Sequence, residues 1–223
     1  IPRRHMMQRS LWGALYALAI FWICNAEPWS PFLLGLPLLG VAYEFLLMER
    51  LTPAQRGMGI LYASLAGWST YHIITTWTDT AGFILFSAFL LIWVSDSMAY
   101  VGGNLLGRTP LAPTLSPKKT WEGAIVGGLF TLILGTAYLV QMDGPISSFS
   151  DPATWPRYAW ALPLMIAFSA PIGDLVGSTF KRMAEVKDSG VFLPGHGGFL
   201  DRFDSYLLSI IILSFLQSLI LIA

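Results

Sequence analysis

Charge is scarce in this chain, cysteine nearly absent and histidine rare. Thirteen basic and thirteen acidic residues make up 12% of 223 positions, about half the share usual in soluble domains. With 55% hydrophobic residues and a mean hydropathy of +0.62, the composition excludes an ordinary soluble domain and indicates a polytopic membrane protein. The formal net charge is zero, so no global basic field points to nucleic acid as a partner. Cys24 is the only cysteine, which rules out an internal disulfide framework; it lies in an apolar run and reads as a packed or lipid-facing thiol. The three histidines, His5, His72 and His196, are far apart in sequence and offer no zinc set. A GxxxxGK[ST] phosphate loop is lacking, as is any internal repeat at a fixed period, so a P-loop enzyme, a solenoid and an inverted-repeat transporter gain no support.

What is present is apolar length. A membrane helix needs about 20 such residues, and the predicted spans are Leu11 to Asn25, Pro31 to Met48, Met58 to Trp77, Ala81 to Tyr100, Trp121 to Met142, Tyr158 to Gly177 and Tyr206 to Ala223. Each is expected to be helical, because backbone at membrane depth must satisfy itself. The expected fold is therefore all-α, polytopic and integral to the membrane, with about seven transmembrane helices. It divides into N-terminal helices over 1–100 and a second part over 101–223 that carries two polar loops, 102–120 and 179–204. The start, Ile1-Pro2-Arg3-Arg4, has no initiator methionine, and an upstream part is expected to be missing; the apolar run after it reads as a retained span, not a signal peptide.

With the N-terminus inside, alternating crossings place every Lys and Arg except Arg157 on the cytoplasmic side. Both polar loops then share one face and can build one site, and 143–157 reads as an external connector. Trp29, Trp68, Trp77, Trp155 and Trp160 read as interfacial belt residues. Gly123 and Gly127 form a GxxxG that predicts close helix packing.

The most polar stretch is Ser178 to Ser205, where Lys181, Arg182, Lys187, Asp188, His196, Asp201, Arg202 and Asp204 fall within 28 residues. Asp96 and Asp174 lie toward the cytoplasmic ends of the fourth and sixth spans, where an ionisable group is a functional candidate; Asp96 also reads as a helix-end carboxylate paired with a base. If the helix continues past Asp174, then Ser178, Lys181 and Glu185 follow on its face, and Pro171 and Gly173 predict a kink. Glu44, Glu49 and Asp79 read as solvated or paired.

In the first loop, Ser116-Pro117-Lys118-Lys119-Thr120 precedes a helix starting near Trp121. A helix N-terminus and two ammonium groups suit phosphate, or else an anionic lipid headgroup. In the second loop, Gly195, Gly197 and Gly198 permit a turn and close approach to a ligand. His196 is a phosphate donor or a loop-fixing hydrogen bonder. Asp201 and Asp204, at i and i+3, suit a hard cation that keeps waters and binds substrate phosphates, so the fit is to Mg²⁺. Carboxylates, clustered bases and glycine turns at one surface describe phosphoryl or nucleotidyl transfer. Polar residues gathered at one face, not the midplane, disfavour a transporter.

At these residues the chain resembles the phosphatidate cytidylyltransferases, or CDP-diacylglycerol synthases. Their signature, S-x-[aliphatic/aromatic]-K-R-x4-K-D-x-small-x2-apolar-P-x-H-G-G-apolar-x-D-R-apolar-D, is matched from Ser178 to Asp204. The DSMAY, LAPTLSPKKTWEGAIVGG and GDL segments extend the resemblance to roughly 93–205, and it is only generic over the first three spans. One departure is Gly177, where bacterial members often carry Glu. The resemblance implies transfer of a cytidylyl group from CTP to phosphatidic acid with Mg²⁺, or the same chemistry on an isoprenoid ether lipid phosphate. It also implies a catalytic second part, a bacterial cytoplasmic-membrane location with the site facing the cytoplasm, and a homodimer. Asp174 and Asp201, with Asp96 and Asp204, would hold metal; Lys187, Asp188, Arg202 and His196 join Asp174 and Asp201 as catalytic candidates, with Asp188 positioning Lys187. Ser116, Lys118, Lys119, Ser178, Lys181, Arg182, Gly197 and Gly198 are the candidate substrate contacts.

Overall fold

The computed structural model describes residues 3–141, 159–190 and 197–222. His196, the turn before it and the 143–157 connector with Trp155 lie outside the described residues. The elements in chain order are α1 Arg3–Asn25, a 3-10 turn Ser30–Leu34 running into α2 Gly35–Leu47, α3 Pro53–Thr76 and α4 Ala81–Leu106. A short hairpin follows, β1 Pro110–Ala112 and β2 Ser116–Thr120, and then α5 Trp121–Gln141, α6 Ala161–Met183 and α7 Leu200–Ile222.

The chain is a mostly helical membrane protein, with two differences from expectation. Among the described residues, five helical segments are long and apolar enough to cross a membrane: Ser30–Leu47, Ala81–Leu106, Trp121–Gln141, Ala161–Met183 and Leu200–Leu219. The apolar part of α1 is the shorter Leu11–Asn25. Helix α3 starts at a capping box in which Thr52 and Gln55 bond each other's backbone, with Pro53 in the first turn. It then carries polar groups inward: Thr70 Oγ1 meets Tyr206 Oη at 3.0 Å and His72 Nδ1 meets Ser214 Oγ at 3.0 Å. The second difference is the first polar loop. Its residues 102–106 finish α4 and 110–120 form a small antiparallel hairpin, a local addition to an all-α fold.

One hydrophobic core runs from Ile20 and Cys24 in α1 to Ile210 in α7. Phe89 of α4 stacks on Tyr206 of α7 at 4.4 Å between centroids, and Phe45 of α2 meets Phe180 of α6 edge-on at 4.9 Å. Such pairs add about 1 kcal/mol each beyond the area they bury. Helix α5 joins differently, through its small residues. A Cβ added at Gly123 would lie 2.7 Å from the Ala99 carbonyl, and one at Gly127 would lie 2.7 Å from that of Ser95. The GxxxG is a backbone-to-backbone packing seam against α4, as its spacing predicts.

Candidate active site

The ends of α2, α4 and α6 and the starts of α5 and α7 meet at one end of the bundle, together with the hairpin. Glu122, in the first turn of α5, anchors the hairpin base by accepting from the backbone N–H of Arg108 at 3.1 Å and of Thr109 at 3.2 Å. Thr120 Oγ1 accepts from Gly123 N at 3.2 Å, capping the start of α5. The hairpin's turn is held from α6: Arg182 donates Nε to the Leu115 carbonyl at 3.3 Å and Nη1 to that of Val186 at 3.1 Å. A predicted substrate contact thus serves here as a strut.

Between the hairpin, α4, α5 and α6 lies a cavity of about 490 Å³. Its walls include Asp96, Asn104, Lys118, Lys119, Gly123, Pro171 and Asp174. Both intramembrane carboxylates singled out in the sequence therefore face the predicted lysine pair. Lys119 forms an ion pair with Asp174, and Ser178 Oγ, one helical turn on, donates to Asp174 Oδ1 at 3.3 Å. Lys118 and Asp96 are exposed at this surface, and Ser116 starts β2 without lining the cavity.

Beside it sits a tighter cluster. Lys181 Nζ lies 2.7 Å from Asp201 Oδ1 and 3.8 Å from Asp204 Oδ2, with side-chain exposures of 11%, 8% and 13% for the three. Lys181 therefore turns to α7 instead of pairing with Asp174 on its own helix. Asp201 Oδ2 accepts from Ser189 N at 2.8 Å and Gly198 N at 2.9 Å, and the Ser189 hydroxyl lies 3.0 Å from it. Both of its oxygens are engaged. Asp204 accepts from Ser205 N at 2.8 Å, and the charges of Asp174 and Asp96 act on it. Gly177 makes this possible: a Cβ there would lie 2.6 Å from that of Asp204, so any larger residue needs α7 to move outward.

Other sequence expectations part from the structure. Helix α6 ends at Met183, and Glu185 leaves the expected face: it adopts φ 55° in the following turn and pairs with Arg50 at the start of the α2–α3 link. Lys187 and Asp188 are exposed in that turn, and no ion pair joins them among the described residues. Arg202 is exposed on α7, its carbonyl accepting from Tyr16 Oη at 3.3 Å. Gly197 has φ 80°, a backbone conformation suited to glycine, while Gly198 N is spent on Asp201.

The residue that sequence reasoning undervalued is Glu44, 6% exposed near the end of α2. It accepts from Phe199 N at 2.6 Å, Leu200 N at 2.9 Å and Ser189 Oγ at 2.7 Å. An acidic residue inside an otherwise apolar run was the available signal.

Comparison with known proteins agrees with this arrangement. The sequence pattern described as the cytidylyltransferase family matches residues 2–220. The phosphatidate cytidylyltransferase of Staphylococcus haemolyticus is 33% identical over 198 residues, covering 87% of this chain and 71% of that protein. That of Bacillus subtilis is 37% identical over 184 residues, covering 82% of this chain and 65% of its own. A site built from both polar loops, on a chain matched nearly end to end, leads to one assignment: the chain belongs to the cytidylyltransferase family.

Proposed function

We propose that this protein transfers the cytidylyl group of CTP to phosphatidic acid, forming CDP-diacylglycerol and releasing pyrophosphate. The observation that carries the reading is the cavity in which Asp96 and Asp174 face Lys118 and Lys119, in a chain whose relatives are named for this reaction. An oxygen of the phosphatidate monoester attacks the α-phosphorus of CTP, and the bond to the departing pyrophosphate breaks. A phosphate monoester is already anionic near neutral pH, so no strong general base is required. Lys118 and Lys119 neutralise phosphate charge, and incoming phosphate competes with Asp174 for Lys119.

Mg²⁺ fits this donor set. Asp96 and Asp174 are hard oxygen donors on the wall of the cavity, and among the described residues neither thiol nor imidazole lines it. Among the described residues no three metal-ligating side chains converge, but Mg²⁺ commonly takes one or two carboxylates plus substrate phosphates and water. Asp96 and Asp174 would hold the ion, with Asp204 behind them, and when bound it supplies charge that offsets repulsion between the two phosphate groups. Asp201, with both oxygens engaged, is read as the organiser of Lys181 and the turn before α7 and not as a ligand.

The basic residues flanking the helices support a seven-crossing arrangement with this end toward the cytoplasm of a bacterium's inner membrane. The test is CDP-diacylglycerol formation from labelled CTP and phosphatidate in mixed micelles. Product is expected with Mg²⁺ and absent with EDTA. Product formation by Asp174→Ala at the wild-type rate removes the assignment of this cavity.

A further inference from the structure

We infer that Glu44 is a positioning residue for this reaction: through Ser189 and the first amides of α7, its buried carboxylate fixes the Lys181–Asp201 pair beside the cavity. The inference rests on the function proposed above. It concerns a helix of the N-terminal half, outside the stretch that carries the motifs.

A helix N-terminus leaves four backbone N–H groups without helical partners, which makes it a ready site for an anion. At the start of α7 two of those groups already have an anion. Phe199 N and Leu200 N donate to Glu44 at 2.6 and 2.9 Å, and Gly198 N just before them donates to Asp201 at 2.9 Å. The amides next to the glycine turn are therefore committed internally and do not cradle substrate phosphate. The bare backbone at that turn serves the same purpose. A Cβ at Gly190 would lie 2.7 Å from Glu44 Oε1, and one at Gly198 would collide with that oxygen.

Ser189 is the link between the two carboxylates. Its hydroxyl lies 2.7 Å from Glu44 Oε2 and 3.0 Å from Asp201 Oδ2, yet a serine hydroxyl has one proton to donate. The shorter contact assigns that proton to Glu44, while the Ser189 N–H, 2.8 Å away, serves Asp201. Asp201 then has Oδ1 left for Lys181 at 2.7 Å. Glu44 itself does not line the cavity, so it acts through Ser189 and α7.

The experiment compares purified wild type, Glu44→Gln, Ser189→Ala and the double variant. It uses amide hydrogen exchange over 189–201 together with kcat and KM for CTP. A carboxamide keeps one acceptor oxygen for the three donors now served by two. Exchange at Ser189, Phe199 and Leu200 is expected to rise about tenfold in Glu44→Gln, with kcat down about tenfold and KM within about twofold. Because both residues belong to one chain of contacts, the double variant should lose no more kcat than Glu44→Gln alone. Ser189→Thr, which keeps the hydroxyl, should restore kcat. Unchanged exchange at Leu200 in Glu44→Gln, or losses that multiply in the double variant, overturns the inference. If Glu44→Gln does not accumulate, Ser189→Ala with its Ser189→Thr rescue decides: equal kcat in the two refutes the link. A wild type that exchanges as expected but makes no CDP-diacylglycerol overturns the proposed function instead.

Discussion

Replacing Lys181 by methionine isolates the buried charge cluster. The substitution keeps most of the side-chain volume and removes the ammonium from between Asp201 and Asp204, whose side chains are 8% and 13% exposed. Removing one partner of a buried ion pair ordinarily costs about 3–5 kcal/mol, because the other charge stays buried without compensation. Asp201 retains donors at Ser189 N and Gly198 N, which places the expected loss near the lower end, about 3 kcal/mol. That is about a hundredfold fall in the ratio of folded to unfolded protein. Unfolding by SDS titration in mixed micelles, followed by far-UV circular dichroism, measures it. A second variant, Lys181→Met with Asp201→Asn, removes the orphaned charge and should recover about 1–2 kcal/mol of the loss. A single variant within about 0.5 kcal/mol of wild type, or a double variant less stable than the single, would refute the reasoning by showing that water already solvates the cluster.

Two other perturbations probe the framework of the cavity. Arg182→Ala releases the hairpin turn from α6, and since a hydrogen bond from a charged donor contributes about 1.5–3 kcal/mol, KM for CTP should rise about tenfold with kcat little changed; steady-state kinetics at saturating phosphatidate check this. Gly127→Leu drives a side chain into the Ser95 carbonyl one residue from Asp96, so the melting temperature and kcat should fall together, overpacking of this kind costing about 1–3 kcal/mol.

The sequence was informative where a pattern has a direct physical meaning. Apolar length marked the helices, the GxxxG marked the α4–α5 contact, and the i, i+4 spacing of Asp174 and Ser178 was realised as a hydrogen bond. What escaped it depends on contacts distant in sequence. The hairpin has strands of three and five residues, too short for alternation to reveal, and its order comes from Glu122 and Arg182. The hydrogen bonds that Asp201 accepts from Lys181 and Ser189, 20 and 12 residues away, are likewise not legible from its spacing to Asp204. Glu44 is separated from its partners by 145 residues or more, so nothing local distinguishes a buried cap from a span-end carboxylate. The end of α6 was uncertain for a local reason: charged residues continue through Glu185, but the left-handed backbone there ends the face.

The glycine seam between α4 and α5 also bears on how the cavity can open. With Gly123 and Gly127 pressed against the Ala99 and Ser95 carbonyls, the two helices that the hairpin connects cannot spread without losing their closest backbone contact. The hairpin's feet are therefore fixed a short distance apart, and closing so short a loop costs little entropy. Among the described residues its turn is tied to α6 by Arg182, and the lower part of β2 is tied there by the Lys119–Asp174 pair. The cavity between them can therefore widen where α6 and the hairpin part from each other, with α4 and α5 as the stationary jaw.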